Sequence, residues 1–131
     1  MGRVVHFEIP GDDPERAAEF YRGVFGWAIS KWDGPVDYWL VTTGDDSEPG
    51  VNGAIIRRMG GAPGDGQSVN AFINTIQVDS IADTERKVPD AGGEQVVARD
   101  EIPGVGKVSY FKDTEGNIFG ALEPTDMRKA A

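Results

Sequence analysis

The segment Val4 to Trp27, VVHFEIPGDDPERAAEFYRGVFGW, constrains the fold more than any other stretch. Its apolar period switches once, from two residues to helical spacing. Val5, Phe7 and Ile9 alternate with Val4, His6 and Glu8, the pattern of a strand with one apolar face. Pro10 and Gly11 end that strand. Asp13 is suited to cap a helix and Pro14 to open it, since the first helical residue needs no N–H donor. Asp12 and Glu15 place negative charge at the positive end of the helix dipole. Ala17, Phe20, Tyr21, Val24 and Phe25 then recur at helical spacing. They predict a helix from about Pro14 to Val24, with Gly23 or Gly26 as its stop. His6 is the only histidine in the chain.

The rest of the chain completes this unit and then repeats its order. AISKW after Trp27, YWLVTT from Tyr38 and VNGAIIRR from Val51 predict three more strands, so residues 1–58 read β-α-β-β-β. Residues 59–68, MGGAPGDGQS, are dense in Gly and Pro, lack periodicity and read as a linker. Residues 69–124 begin with a strand from Ala71 to Val78. Ser80 and Asp83 have capping-box spacing for a second helix, which Gly92-Gly93 ends and whose last turn Pro89 tightens or breaks. Strands are predicted from Glu94 to Arg99, Lys107 to Lys112 and Ile118 to Leu122, with DTEGN as the tight turn before the last. Residues 125–131 are a polar tail. Each module covers one face of its sheet with its helix. The expected architecture is therefore α+β, two tandem βαβββ modules whose sheets pair to form a cavity for a small molecule.

Composition removes several function classes. The absence of cysteine excludes disulfides, thiolate chemistry and Cys-based metal sites. A net charge of −9 makes nucleic acid and anionic membranes poor partners. No apolar run is long enough to span a bilayer and no signal-peptide pattern opens the chain, so a cytoplasmic location is expected. GAPGDG lacks the Gly-Lys-Ser/Thr ending of a phosphate loop, and no G-x-S-x-G elbow is present for a serine nucleophile.

HFEIPGDDPERAAEFYRGVFGW, followed by VDSIADTERKVPDAGG and DTEGNIFGALEP, resembles the vicinal oxygen chelate superfamily, which includes glyoxalase I, bleomycin-resistance proteins and extradiol dioxygenases. The resemblance covers nearly the whole chain and rests on the ordered set of segments rather than on one motif. It implies paired βαβββ modules, a homodimer and, in the enzymes, a divalent metal held by His, Glu or Gln. The first-strand metal ligand lies fourteen residues before the Phe of the helical Phe-Tyr pair. Counting back from Phe20 reaches His6. The other ligand positions depart: the matching position of the second module is Phe72, the closing-hairpin position falls on Gly120, and Val51 to Arg58 offers only Asn52. Glu123 is three residues beyond Gly120 and points to the opposite strand face.

The candidate site residues each carry two readings. His6 is a remnant metal ligand or polar anchor in the cavity, or a structural histidine paired with a carboxylate. Glu8 could join it in a metal site, although about three protein ligands are needed; otherwise it is a hydrogen-bonded residue of the sheet. Trp27, Trp32, Tyr38 and Trp39 form an aromatic wall for a planar ligand, or core or dimer packing. Tyr38 and Trp39 face opposite ways, and Trp39 is the one assigned to the cavity. Phe72 and Asn74 share a strand face with Ile76 and, in the register the resemblance implies, look into the cavity. The alternative for them is module packing. Tyr110 is structural or ligand-binding through its hydroxyl.

The function expected is that of a glyoxalase- or bleomycin-resistance-like protein binding a small apolar or aromatic molecule without a cofactor. One alternative is a lyase or dioxygenase using His6, Glu8 and a divalent metal such as Zn, Ni, Mn or Fe(II). The other is a non-catalytic interaction module.

Overall fold

The computed structural model describes residues 2–60 and 72–126. Its elements run β1 (Val4–Gly11), α1 (Pro14–Phe25), β2 (Ala28–Lys31), β3 (Tyr38–Thr42), β4 (Gly53–Arg57), β5 (Ile73–Gln77), α2 (Ile81–Asp90), β6 (Glu94–Ile102), β7 (Gly106–Lys112) and β8 (Ile118–Pro124). The order is βαβββ twice, and the class is α+β. Contacts gather the chain into two compact units, dividing between Val5 and His6 and again between Ile73 and Asn74. The first residues belong with the second unit, where the Gln77 N–H donates to the Arg3 carbonyl at 2.9 Å. Most of the Gly/Pro-rich linker, Ala71 and residues 127–131 fall outside the described residues. No described helix is long and apolar enough to cross a membrane.

In the first module the strand order is β2-β3-β4-β1, with β1 parallel to β4 and the other pairs antiparallel. The parallel pair is possible because α1 provides the crossover. Asp13 caps α1 by accepting from the Arg16 N–H at 3.1 Å, and Pro14 opens the helix. The helix runs one residue beyond the expected Val24 and ends at Gly26, one of the two expected stops, whose φ of 72° lies in the left-handed region. Ala18 on α1 packs with Ile9, Ile29, Trp39, Val41 and Ile55 from the sheet, joined by Phe7, Ala17, Tyr21 and Trp27. Burying an Ile or Val side chain contributes about 1.5–3 kcal/mol, so this face of the sheet holds the module together.

The second module repeats the topology as β5-β8-β7-β6, with β5 parallel to β8. Ser80 caps α2, accepting from the Asp83 N–H at 3.1 Å. Pro89 tightens the end of α2 without breaking it: the Ala91 N–H reaches Lys87 O, and the Gly92 N–H reaches Pro89 O, both at 3.0 Å. Ile81, Phe111 and Ala121 form the core, with Val78, Val88 and Phe119 against it. The closing turn is held by Asp113, whose Oδ1 accepts from the N–H groups of Glu115 and Asn117 at 2.8 and 2.9 Å.

Candidate functional site

The face of the first sheet turned away from α1 is built on β1. Phe7 and Ile9 face the helix, so alternation turns His6 and Glu8 to the other side. Glu8 is only 2% exposed. A carboxylate at that depth needs hydrogen-bond donors, and the Tyr38 hydroxyl donates to its Oε2 at 3.0 Å. Tyr38 reaches Glu8 from β3, across β4. There Ala54, in register with Glu8, presents only a methyl group. His6 lies two residues from Glu8 on the same face. Burial pushes its imidazole pKa below the usual value, so the ring is neutral at pH 7 and offers one donor and one acceptor.

Trp32 extends this face. Its ring centroid is 6.1 Å from that of Tyr38, with planes tilted by 34°, and its backbone N–H donates to Tyr38 O at 2.7 Å. A Cβ at Gly34 would lie 2.2 Å from the Trp32 indole, so a glycine is what lets the ring lie against the loop backbone. The face therefore presents an aromatic corner beside a buried acceptor and a neutral imidazole.

Three assignments made from the sequence are corrected. Trp39 is on the α1 side, buried in the core, with its Nε1–H donating to Glu15 Oε2 at 2.8 Å. Lys31 Nζ and Arg57 Cζ lie 5.6 and 5.4 Å from its ring centroid. The alternation argument separates Tyr38 from Trp39 but does not say which is inside. The clue in the sequence is that Tyr38 and Thr42, four residues apart and so in the same phase, both carry hydroxyls, while Trp39 shares its phase with Val41. Phe72 is also elsewhere than expected. It stacks on Phe7 at 6.0 Å and meets Tyr21 edge-on at 6.4 Å, both of which pack against the α1 core. Asn74 is exposed on the α2 side, because Ile76 two residues on is in register with Ala121 of the α2 core.

In the second module, the face away from α2 carries Tyr110 and Thr75. Tyr110 is in register with Gly120, and Gly120 with Thr75. A Cβ at Gly120 would meet Thr75 Oγ1 at 3.2 Å and the Tyr110 ring at 3.4 Å, so these side chains close over the glycine. Thr75 is a residue that the sequence reading missed, through the one-residue shift in phase that misplaced Asn74.

The donor set does not fit the divalent metal that the resemblance implies. Among the described residues no group of three or more His, Cys, Asp or Glu side chains could hold an ion. Gly120 has no ligand to give. Asn52 Oδ1 accepts from the Thr43 N–H at 2.9 Å, and Glu123 Oε1 from the Ile81 N–H, also at 2.9 Å, at the start of α2.

Comparison with known proteins adds the following. The model of a family described as bleomycin resistance protein-like N-terminal matches residues 3–44. A glyoxylase-like domain-containing protein of Didymella fabae is 31% identical over 124 residues, covering 88% of this chain and 89% of that protein. The candidate glyoxylase CFP32 of Mycobacterium tuberculosis is 29% identical over 129 residues, 97% of this chain and 46% of that protein. This chain thus spans about half the length of CFP32. The structure of Streptomyces coelicolor methylmalonyl-CoA epimerase in complex with 2-nitronate-propionyl-CoA superposes with a TM-score of 0.65 at 14% identity, covering 95% of this chain and 98% of that one. At that identity the likeness is one of fold.

Proposed function

Since this chain belongs to the vicinal oxygen chelate superfamily, as a glyoxylase-like domain, we propose that it binds a small apolar or aromatic molecule on the face of its first sheet turned away from α1, without a metal. The observation that carries this reading is the nearly buried Glu8 carboxylate, held by the Tyr38 hydroxyl. An acceptor fixed at that depth, with a neutral His6 on the same face and the Trp32–Tyr38 corner beside it, supports this reading, since small-molecule sites combine apolar surface with a few placed polar groups. The ligand it suits is planar and carries a hydrogen-bond donor such as a phenol. The superfamily fold is compatible with small-molecule ligands, since the epimerase neighbour holds a CoA derivative. The reading includes a homodimer and a cytoplasmic location, the latter consistent with a cysteine-free chain.

The test is thermal unfolding of the purified chain with planar phenols such as 2-naphthol, in chelator and in added Zn, Ni, Mn or Fe(II). At one hundred times its dissociation constant a ligand adds about 2.7 kcal/mol to stability. Stabilisation that chelator leaves unchanged, and that Tyr38→Phe and Trp32→Ala reduce, is the expected result. About one metal ion per chain by elemental mass spectrometry, lost in His6→Ala, would overturn the metal-free reading.

A further inference from the structure

The two modules share one strand order, so the faces turned away from their helices can be compared row by row. In the first sheet one row runs Glu8 on β1, Ala54 on β4, Leu40 on β3 and Ser30 on β2, each in register with the next. In the second, Thr75 takes the place of Glu8, Gly120 that of Ala54 and Tyr110 that of Leu40. The second row is filled by the chain itself. The Tyr110 ring packs 3.4 Å from where a Cβ on Gly120 would stand. The first row has no ring at the matching position, where Leu40 stands instead. Its inner end is covered, with Ala54 0% and Glu8 2% exposed, and Tyr38, two residues along β3, crosses to Glu8 beside it. Leu40 is 41% exposed although β3 lies between two other strands, and Ser30 on the edge strand is exposed as well.

We infer that this first row is the bed of a ligand made of two fused aromatic rings with a hydroxyl at each end, and that Leu40 selects a ligand of that length. The inference rests on the site proposed above and adds the shape of its ligand. Chemistry is the first argument. The row offers a carboxylate, a methyl, an isobutyl group and a hydroxyl in that order, so it is polar at both ends and apolar between. In the repeat the chain supplies a phenol of its own, Tyr110, at the position where the first row has only Leu40. A phenol from outside completes the first row as Tyr110 completes the second. Length is the second argument. Strands stand about 4.8 Å apart, which puts Leu40 about 10 Å and Ser30 about 14 Å from Glu8 along the row. A two-ring diol with a hydrogen bond of about 2.8 Å at each end spans about 13 Å, and its second ring then lies over Leu40. A single-ring phenol anchored at Glu8 stops short of Leu40. Burial is the third argument. The row is covered at Glu8 and open from Leu40 outwards, so the ligand places one hydroxyl at the deep end and leaves the other at the sheet edge.

The experiment is calorimetric titration of the intact chain with phenol, 2-naphthol and 2,6-dihydroxynaphthalene. The wild type is expected to bind 2-naphthol at least tenfold more tightly than phenol, and the diol more tightly still. Leu40→Ala should weaken both two-ring ligands about tenfold and phenol less than twofold, because only the second ring covers Leu40. Ser30→Ala should abolish the advantage of the diol over 2-naphthol. Equal affinity of the wild type for phenol and 2-naphthol would overturn the inference. So would two-ring binding that Tyr38→Phe weakens and Leu40→Ala leaves unchanged, a result that keeps the site and removes Leu40 from it. Absence of binding by all three compounds would instead sink the site itself, and the inference with it. Leu40 is already 41% exposed, so its truncation should leave the circular dichroism spectrum intact. Should Leu40→Ala lose its fold, Leu40→Thr, which keeps a strand-forming side chain, takes its place with the same expected loss for the two-ring ligands.

Discussion

The Glu8–Tyr38 pair decides how much of the site is structural. Tyr38→Phe removes one donor from a nearly buried carboxylate, and such a loss costs about 1–3 kcal/mol. Chemical denaturation should show that loss, and a smaller one when the same change is made in Glu8→Gln. Equal losses in both backgrounds would mean that the two side chains are not coupled. His6 adds a pH dependence of known sign. Its folded pKa lies below the ordinary value of 6.5, so the unfolded chain takes up the proton first as pH falls. Stability should therefore be full above pH 6.5 and decline below it until the folded histidine also protonates; His6→Phe should flatten that part of the curve. A decline of the same size in His6→Phe would remove the histidine as its cause. His6 and Glu8 were legible in the sequence because strand alternation separates them from Phe7 and Ile9. Tyr38 was not, because alternation pairs residues without fixing which face is buried.

At the level of elements, caps and periodicity were read well and irregular backbone was not. Asp13, Pro14, Ser80 and Gly26 each act at the helix end where residue chemistry places them. Strand β6 runs to Ile102, beyond the predicted Arg99, because its register with β7 shifts between Gln95 and Val97 and again between Val97 and Asp100. No local sequence signal marks such shifts. Ser109 shows how the chain accommodates them: it is buried, its Oγ–H donates to Val97 O at 2.6 Å, and it accepts from Gln95 Nε2 at 2.9 Å. Ser109→Ala should cost about 1 kcal/mol, since it removes the hydroxyl that the partly buried Val97 carbonyl and Gln95 amide share. Amide hydrogen exchange should quicken first along β6; faster exchange confined to β2 and β3 would contradict the account. Glu85, which accepts from both Gln95 and Arg99, ties the same irregular strand to α2.

For the whole molecule, the repeated βαβββ order was legible because the Val4–Trp27 unit recurs, weakened, after residue 68. The face of individual strand residues was harder to read: Trp39 in the first copy and Asn74 in the second both lie on the helix side. Charge balance gives a prediction that belongs to no single element. Acidic residues outnumber basic ones 22 to 13. The ion pairs are largely exposed, as in Lys31–Asp37, Arg57–Asp37 and Arg86–Asp83. Pairs of that kind contribute about 0–1 kcal/mol each, and salt weakens them. Salt equally weakens the repulsion among the unpaired carboxylates, which acts over the entire surface once the Debye length exceeds their spacing, about 10 Å at 0.1 M. With nine charges in excess, relief of repulsion outweighs the loss of exposed pairs. The melting temperature at pH 7 should therefore rise as sodium chloride is added to a low-salt buffer, and rise less near pH 4.5, where the net charge vanishes. Measured at one low micromolar concentration, that increase reports self-repulsion among the chain's own charges. A fall with salt there would mean that the ion pairs, and not the charge excess, govern the stability of this acidic domain.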